Sequence, residues 1–293
     1  MEVVIAQIVN GLSMGSVYAL LVTGFNLLIL AAMIIHFSFP ATVVFSMYAA
    51  WLFMQWTGSV AVGIAAAIGS AALVNMISAP VFQRVTEKRG SVDINATMIV
   101  SMGMGMLITE LCSHSINKGF PVSFPLLSGA RKPFWQSGFI SLSYAQAAAL
   151  GGGIVAAAVL FRILYRTRAG RAFRAIAENP GEAQLAGIPV FRTALLSYAL
   201  AGALGGVSAA LMAPLLGSAS SDLGDLLSHK VLGVSIIAGL GNLWGGLAAA
   251  LLLGVVEALV QGFFSGSWSN AVVFVIMLGV VLLKPRGVFG ARL

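Results

Sequence analysis

Residues 162–192 read RILYRTRAGRAFRAIAENPGEAQLAGIPVFR and lie between two long apolar runs. They carry six of the 16 Lys+Arg residues and two of the 9 Asp+Glu residues, in a chain that is only 9% charged. Charge at that density stays out of hydrocarbon, and clustered arginines are retained on the cytoplasmic side of a membrane. The same segment encodes structure. Residues 171–177 read as a short helix with Phe173, Ile176 and Ala177 on one side. Asn179-Pro180-Gly181-Glu182 then restarts a helix, with Asn as cap, Pro at the first helical position and an acid at the third. Gly187 followed by Pro189 is the matching stop. A basic loop that only anchors topology would carry the charge without the caps; a folded helical pair offers a shape for another body to hold.

Outward from this segment the chain is apolar. It has 293 residues, of which 59% are hydrophobic, and a mean hydropathy of +0.98. A water-soluble core does not absorb that much apolar surface, and the runs approach the ~20 residues that a bilayer span requires. The expected class is therefore an all-α polytopic membrane protein: one transmembrane domain over residues 1–293, with about eight membrane helices and some discontinuous or re-entrant segments. The single cysteine, Cys112, excludes an internal disulfide framework and a Cys-based metal site. The histidines at 36, 114 and 229 are scattered, so no metal cluster and no cofactor are expected. The net charge of +7 has no accompanying aromatic platform and belongs to cytoplasmic loops rather than to nucleic-acid binding. Residues 1–30 lack a basic start and read as a retained span rather than a cleaved signal.

In chain order, spans are expected over residues 3–30, 41–56, 60–82, 94–111, 144–164 and 194–216. Arg84, Lys88 and Arg89 form a second cytoplasmic basic cluster, and residues 113–143 an external loop with Lys118, Arg131 and Lys132. Gly11 and Gly15, and later Gly202 and Gly206, are small-xxx-small faces for close helix packing. Residues 217–229, with Asp222 and Asp225, read as an external loop, and residues 231–240 as an apolar half-helix too short to span. Spans with Glu257 inside and over residues 270–283 close the membrane part; counting back from the basic tail puts the N-terminus outside.

Two breaks interrupt the apolar pattern, IIHFSFP at residues 34–40 and GLGNLWGG at residues 239–246. Breaks at membrane depth occur where they line a cavity or pack on protein, and half-helix ends aim dipoles at polar solutes. The candidate translocation pathway therefore takes Ser16, Tyr18 and Asn26 from the first span and His36, Phe37 and Ser38 from the first break. Gly239, Gly241 and Asn242 join them from the second break, and Glu257 as an intramembrane acid. For each, a purely structural role is the competing reading. The chain has no GxxxxGK[ST] loop, no nucleophile–base pair and no metal-ligand spacing. It is expected to be no enzyme. A passive pore or stand-alone carrier stays open on these residues, and the folded charged segment weighs against it.

Several motifs together carry a resemblance. They are NG and GSVYAL within residues 10–20, GRAFRAIAEN at 170–179 with Ala183 and Gly187-Ile188, GLGNLWG at 239–245, LGVVEA at 253–258 and KPRGVFG at 284–290. The chain resembles the permease subunits of branched-chain amino acid ABC importers, a family that includes urea and amide permeases. The resemblance implies a multi-pass protein of the bacterial inner membrane, working with a second related permease, two ATPases and a soluble substrate-binding protein. It further implies that residues 166–192 couple to the ATPases through Arg171, Arg174, Ala175, Glu178, Asn179, Pro180, Glu182, Ala183 and Gly187. One departure stands out. The family's usual Ile-Asn-Phe-Ala-His-Gly is here Ile35-His-Phe-Ser-Phe-Pro40, which leaves leucine-like amino acids, urea, short amides and small carboxylates open as cargo.

Overall fold

The computed structural model describes residues 2–87, 94–137, 140–264, 266–284 and 287–289. Its first half comprises helices α1 (Glu2–Ala32), α2 (Phe39–Thr57), α3 (Val60–Glu87) and α4 (Ile94–Ser115), then strands β1 (Val122–Ser123), β2 (Pro133–Ser137) and β3 (Ile140–Ser143). Then come α5 (Tyr144–Arg166), α6 (Arg168–Glu178), α7 (Pro180–Leu185) and α8 (Val190–Leu216). The chain ends with β4 (Ser218–Ala219), α9 (Leu223–Ala238), α10 (Leu243–Phe263) and α11 (Gly266–Leu283). The protein is an all-α polytopic membrane protein. Among the described residues six helices (α1, α3, α4, α5, α8 and α10) are long and apolar enough to cross a membrane, while α9 has only 16 residues. Lys88 and Arg89 of the second basic cluster lie outside the described residues; Arg84 is exposed.

α1 is the axis of the bundle. Its central stretch is buried on nearly every side, by α5, α8, α9 and α10. Small residues make this possible. A Cβ on Gly11 would lie 2.5 Å from Val255 Cα, and one on Gly254 would run into Gly11 and Gly15. α8 meets α3 in the same way: Cβ atoms on Gly202 and Gly206 would lie 2.5 Å from the carbonyl oxygens of Ala71 and Ala67. Both expected glycine faces are thus the sites where backbones touch. The outer faces of α4, α5 and α11 expose Met106, Ile154 and Leu278, as a lipid-facing surface requires.

The bundle has two distinct ends. At one, β1 pairs antiparallel with β4, joining the segment after α4 to the segment after α8, and β2–β3 forms a hairpin beside the start of α5. Ser143 and Gln146 make a reciprocal capping box there, and the Gln146 side chain also reaches Asn10 Oδ1 at 2.5 Å. This is the loop end. At the other end lie α6, α7, Arg84, the second helix break and residues 287–289; this is the basic end, whereas the first break sits deeper, against Ser78 of α3 and Ser101 and Gly105 of α4.

Two expectations about element limits are corrected. Residues 217–229 are not a loop throughout: α9 begins at Leu223 and runs through Asp225 and His229. Gly217 bends the chain out of α8 and Ser221–Asp222 form a turn after β4, but Leu223, Leu226, Leu227, Val231 and Val234 share one helical side that packs inward, and this burial outweighs the local turn formers. Second, the break at residues 239–246 is confined to Gly239–Asn242, because Asn242 Oδ1 caps α10 at Gly245 N (2.9 Å) and Trp244 to Gly246 are already helical. The break at residues 34–40 holds, with Pro40 in the first turn of α2, where it fits the start of a helix.

Candidate functional site

A cavity of 440 Å³ opens among α1, α5, α8, α9, α10 and α11 at the loop end. That is within the roughly 300–1,000 Å³ of ligand pockets. Its rim includes Asn10, Leu216 and Gln261, all exposed. One wall is polar, with Gln7, Asn10 and Ser13 from α1 and Gln261 from α10; the facing wall is apolar, with Met212 and Leu215 from α8 and Leu223 and Leu227 from α9. Its floor holds charge. Lys230 Nζ donates to Glu257 Oε1 at 2.6 Å and to the Tyr18 hydroxyl at 3.2 Å, and Gln261 Nε2 reaches the same Glu257 oxygen at 3.4 Å. Lys230 is 3% exposed and Glu257 is 7% exposed. Lys230 stands seven residues into α9, roughly 10 Å below its start at a 1.5 Å rise. An ion pair at that depth is held against a large desolvation cost, so its geometry must be maintained by the surrounding packing.

Toward the basic end the space closes. Asn26 Nδ2 donates to Asn242 O at 3.2 Å, and Gly241 N donates to Asn26 Oδ1 at 3.3 Å. Gly239 and Gly241 take φ +88° and +81°, values natural only to glycine. The C-terminal segment ties down the same turn: Asn242 Nδ2 donates to Phe289 O and Val288 N to Ile237 O, both at 2.7 Å. A Cβ on Gly246 would lie 2.7 Å from Asn26 Nδ2, so side chain and backbone meet without space between.

The first break is placed differently. His36 is fully buried, its Nε2 3.0 Å from Ser78 Oγ and its Nδ1 2.9 Å from Ser38 Oγ, with the rings of Phe82 and Tyr198 at 4.8 and 5.6 Å. This break packs on protein. Phe39 is buried against Phe25, while Phe37 edges a separate 160 Å³ hollow with Met102, Gly105 and His229. Ser16 also faces protein, bonding Ala149 O at 2.9 Å. Of the ten pathway candidates, the structure brings Tyr18 and Glu257 together on the cavity floor. Asn26, Gly239, Gly241 and Asn242 meet one another beneath it, and Ser16, His36 and Ser38 bond to other parts of the protein rather than lining the cavity.

Lys230 was not legible as a site residue while residues 223–229 read as loop. Its position three residues after Leu227 and four before Val234 would have put it on the buried stripe of a helix, and an apolar stripe interrupted by one lysine is the available signal. Asn10, Gln146 and Gln261 were missed for another reason: amides near helix ends look like ordinary rim residues until the rim is a cavity.

At the basic end the segment after α5 folds into an elbow. Thr167 Oγ1 accepts from Gly170 N at 3.2 Å, and a Cβ on Gly170 would collide with Leu164 O, so only glycine allows α6 to turn back on α5. Arg174 reaches Leu164 O at 2.5 Å and lies over the Tyr165 ring at 5.1 Å. Phe173, Ile176 and Ala183 are buried. Asn179 Oδ1 accepts from Gly181 N and Glu182 N at 3.0 and 3.3 Å, its Nδ2 donates to Glu182 at 2.8 Å, and Gly187 ends the unit at φ +81°. Of the coupling candidates, Arg171, Glu178, Asn179, Pro180, Glu182 and Gly187 are exposed; Arg174 and Ala183 face inward, and Ala175 is half-buried. Leu185, which the sequence reading passed over, projects from the tip at 90% exposure.

Comparison with known proteins places these features in a family. Residues 7–281 match the sequence profile described as branched-chain amino acid transport system / permease component. The chain is 27% identical to the high-affinity branched-chain amino acid transport system permease protein BraD of Pseudomonas aeruginosa, over 97% of this chain and 95% of that one. It is 24% identical to the permease protein LivH of the same kind of system in Escherichia coli K12, over 97% and 94% of the two chains. It is also 26% identical to the autoinducer 2 import system permease protein LsrC of an Enterobacter species, over 77% and 69%. No solved structure matches.

Proposed function

The chain belongs to the family of branched-chain amino acid transport system permease components, and on that premise we propose that it is the transmembrane subunit of an ATP-driven importer in a bacterial inner membrane. Its cargo is a small polar solute, in first place a branched-chain amino acid. A soluble receptor delivers the solute at the loop end, and two ATPases and a second, related permease complete the assembly. The observation that carries this reading is the elbow α6–α7. It is rigid on its inner side, through Gly170, Arg174 and the Asn179 cap, and exposed on its outer side, with Leu185 and Glu178 available to a cleft. In this reading ATP-driven closure of the ATPases pushes on the elbow, which is continuous with α5 and α8 and packs on α1, so the push reaches the helices around the cavity.

A second reading keeps the importer and changes the cargo. The match to an autoinducer 2 permease and the unusual residues 35–40 favour it, with urea, short amides and small carboxylates as further alternatives.

The test is purification of the chain from its native membrane in mild detergent, followed by reconstitution with the proteins that accompany it. ATPase chains co-purify, and solute stimulates their hydrolysis. Bulky replacements at Glu178 or Gly187 abolish that stimulation while the chain still inserts. Stimulation unchanged in those variants removes the elbow from the mechanism, and absence of any ATPase partner returns the protein to the stand-alone carrier class.

A further inference from the structure

We propose that the Lys230–Glu257 pair is a ligand-binding site in its own right, and that its ligand is a zwitterion: a primary α-amino acid whose carboxylate goes to Lys230 Nζ and whose ammonium goes to Glu257. The inference rests on the permease reading above and names the chemistry of its cargo. Binding exchanges one internal ion pair for two between protein and ligand.

The pair is built for exchange. Glu257 Oε1 already takes Lys230 and Gln261, but Glu257 Oε2 is buried and has no hydrogen-bond partner among the described residues. A buried carboxylate oxygen left without a donor is costly, and native structures rarely leave one without a reason. An ammonium supplies the missing donor. On the other side, Lys230 Nζ has three protons and, among the described residues, two acceptors, Glu257 and the Tyr18 hydroxyl. The third proton is open to a carboxylate. Both residues line the cavity, so a solute that enters from the rim comes up against them, and the buried Glu257 Oε2 takes the ammonium once the carboxylate turns toward the opening.

Charge matching gives the selectivity. A neutral amide has nothing to offer that is stronger than the existing pair. A lone carboxylate competes for Lys230 and strands Glu257 as an uncompensated buried charge, and a lone amine does the reverse. Only a ligand with both charges satisfies both ends. The apolar wall of Met212, Leu215, Leu223 and Leu227 then faces whatever hangs from the ligand's α-carbon, which favours an aliphatic side chain over a polar one.

Two measurements test this. The first is uptake by the reconstituted assembly of four probes: L-leucine, 4-methylpentanoate, isopentylamine and acetamide. Wild type accumulates L-leucine and none of the other three. Lys230→Met and Glu257→Gln each lower L-leucine uptake at least tenfold and lower the melting temperature, because each strands the other residue. The double variant Lys230→Met/Glu257→Gln regains the melting temperature and does not regain uptake. Uptake that returns with stability in the double variant overturns the proposal, since the pair then only holds α9 to α10. Acetamide uptake equal to that of L-leucine in wild type overturns it as well, and leaves the importer reading intact. The second measurement needs no partner chains. In detergent, millimolar L-leucine raises the melting temperature of the wild-type chain and leaves the double variant unmoved. No shift in wild type, or the same shift in both, overturns the proposal even where no ATPase is found.

Discussion

The floor of the cavity and the basic elbow are two polar regions of an apolar protein, and they are held by opposite means. At the floor, charge is buried, and Lys230 and Glu257 depend on each other. At the elbow, charge is exposed, and backbone geometry supplies the order: a glycine where α6 folds back, an asparagine cap, and a glycine stop. The first region therefore fails when a charge loses its partner, and the second when a side chain is added where none fits. In the proposed mechanism this division has a use. The elbow transmits force and must be stiff, while the floor exchanges partners and must have a partner to exchange.

The largest effect expected from this contrast is at the floor. Removing one member of a buried pair leaves an uncompensated charge and costs about 3–5 kcal/mol, whereas removing both is nearly neutral. Glu257→Gln and Lys230→Met should each show that loss in chemical or thermal unfolding of the detergent-solubilised protein, and the double variant should recover most of it. Additive losses would mean that the two side chains are held independently and that the floor is no different in kind from the elbow. Next in size is Gly170→Ala. Its new methyl has no room against Leu164 O, and such overpacking costs about 1–3 kcal/mol, here spent on turning α6 away from α5. Faster trypsin cleavage at Arg171 and Arg174, with little change in the melting temperature of the bundle, would show that the strain stays local.

How far each region could be read in advance follows from the same contrast. The elbow was legible because caps and stops are local: Asn179, Pro180, Glu182 and Gly187 act within a few residues of themselves, and the structure has each where its chemistry predicts. The glycine faces at Gly11 and Gly15 and at Gly202 and Gly206 were legible for a related reason, since small residues at helical spacing have few uses in an apolar helix. The cavity was only half legible. Glu257 stood out as an acid in a long apolar run, but Lys230 lay next to Ser, Gly and Asp residues that favour turns, and its burial depends on α9 packing beneath α1 and α10. His36 shows the reverse case. A histidine, a serine and a proline at a helix break look like a solute path, yet Ser78, Phe82 and Tyr198, all distant in sequence, close around the ring and make it a packing node.

A smaller effect is expected from Asn179→Ala. Loss of an N-cap costs about 1 kcal/mol, and α7 has only six residues over which to absorb it. Amide hydrogen exchange should speed up at Gly181, Glu182 and Ala183 while exchange in α5 and α8 stays unchanged. Faster exchange along the whole of α8 would show that the elbow is coupled to the bundle by packing rather than ordered by its own caps.

The smallest effect is the control for the entire comparison. Glu110 and His114 also form an acid–base contact, at 2.9 Å and one helical turn apart, but their side chains are 67% and 75% exposed. The pair stands at the loop end of α4, free of protein on most sides, and where water reaches them i,i+4 contacts of this kind contribute about 0.3–0.5 kcal/mol. Glu110→Gln should therefore move the unfolding midpoint barely beyond error, and raising the ionic strength should erase even that difference, while the penalty of Glu257→Gln should persist in high salt because counterions do not reach a buried charge. The two substitutions make the same chemical change to the same residue type, each with a basic neighbour within 3 Å. If both cost the same, or if both fade equally with salt, then burial is not what makes the cavity floor special, and neither its ion pair nor the exchange proposed for it would differ from an ordinary surface contact.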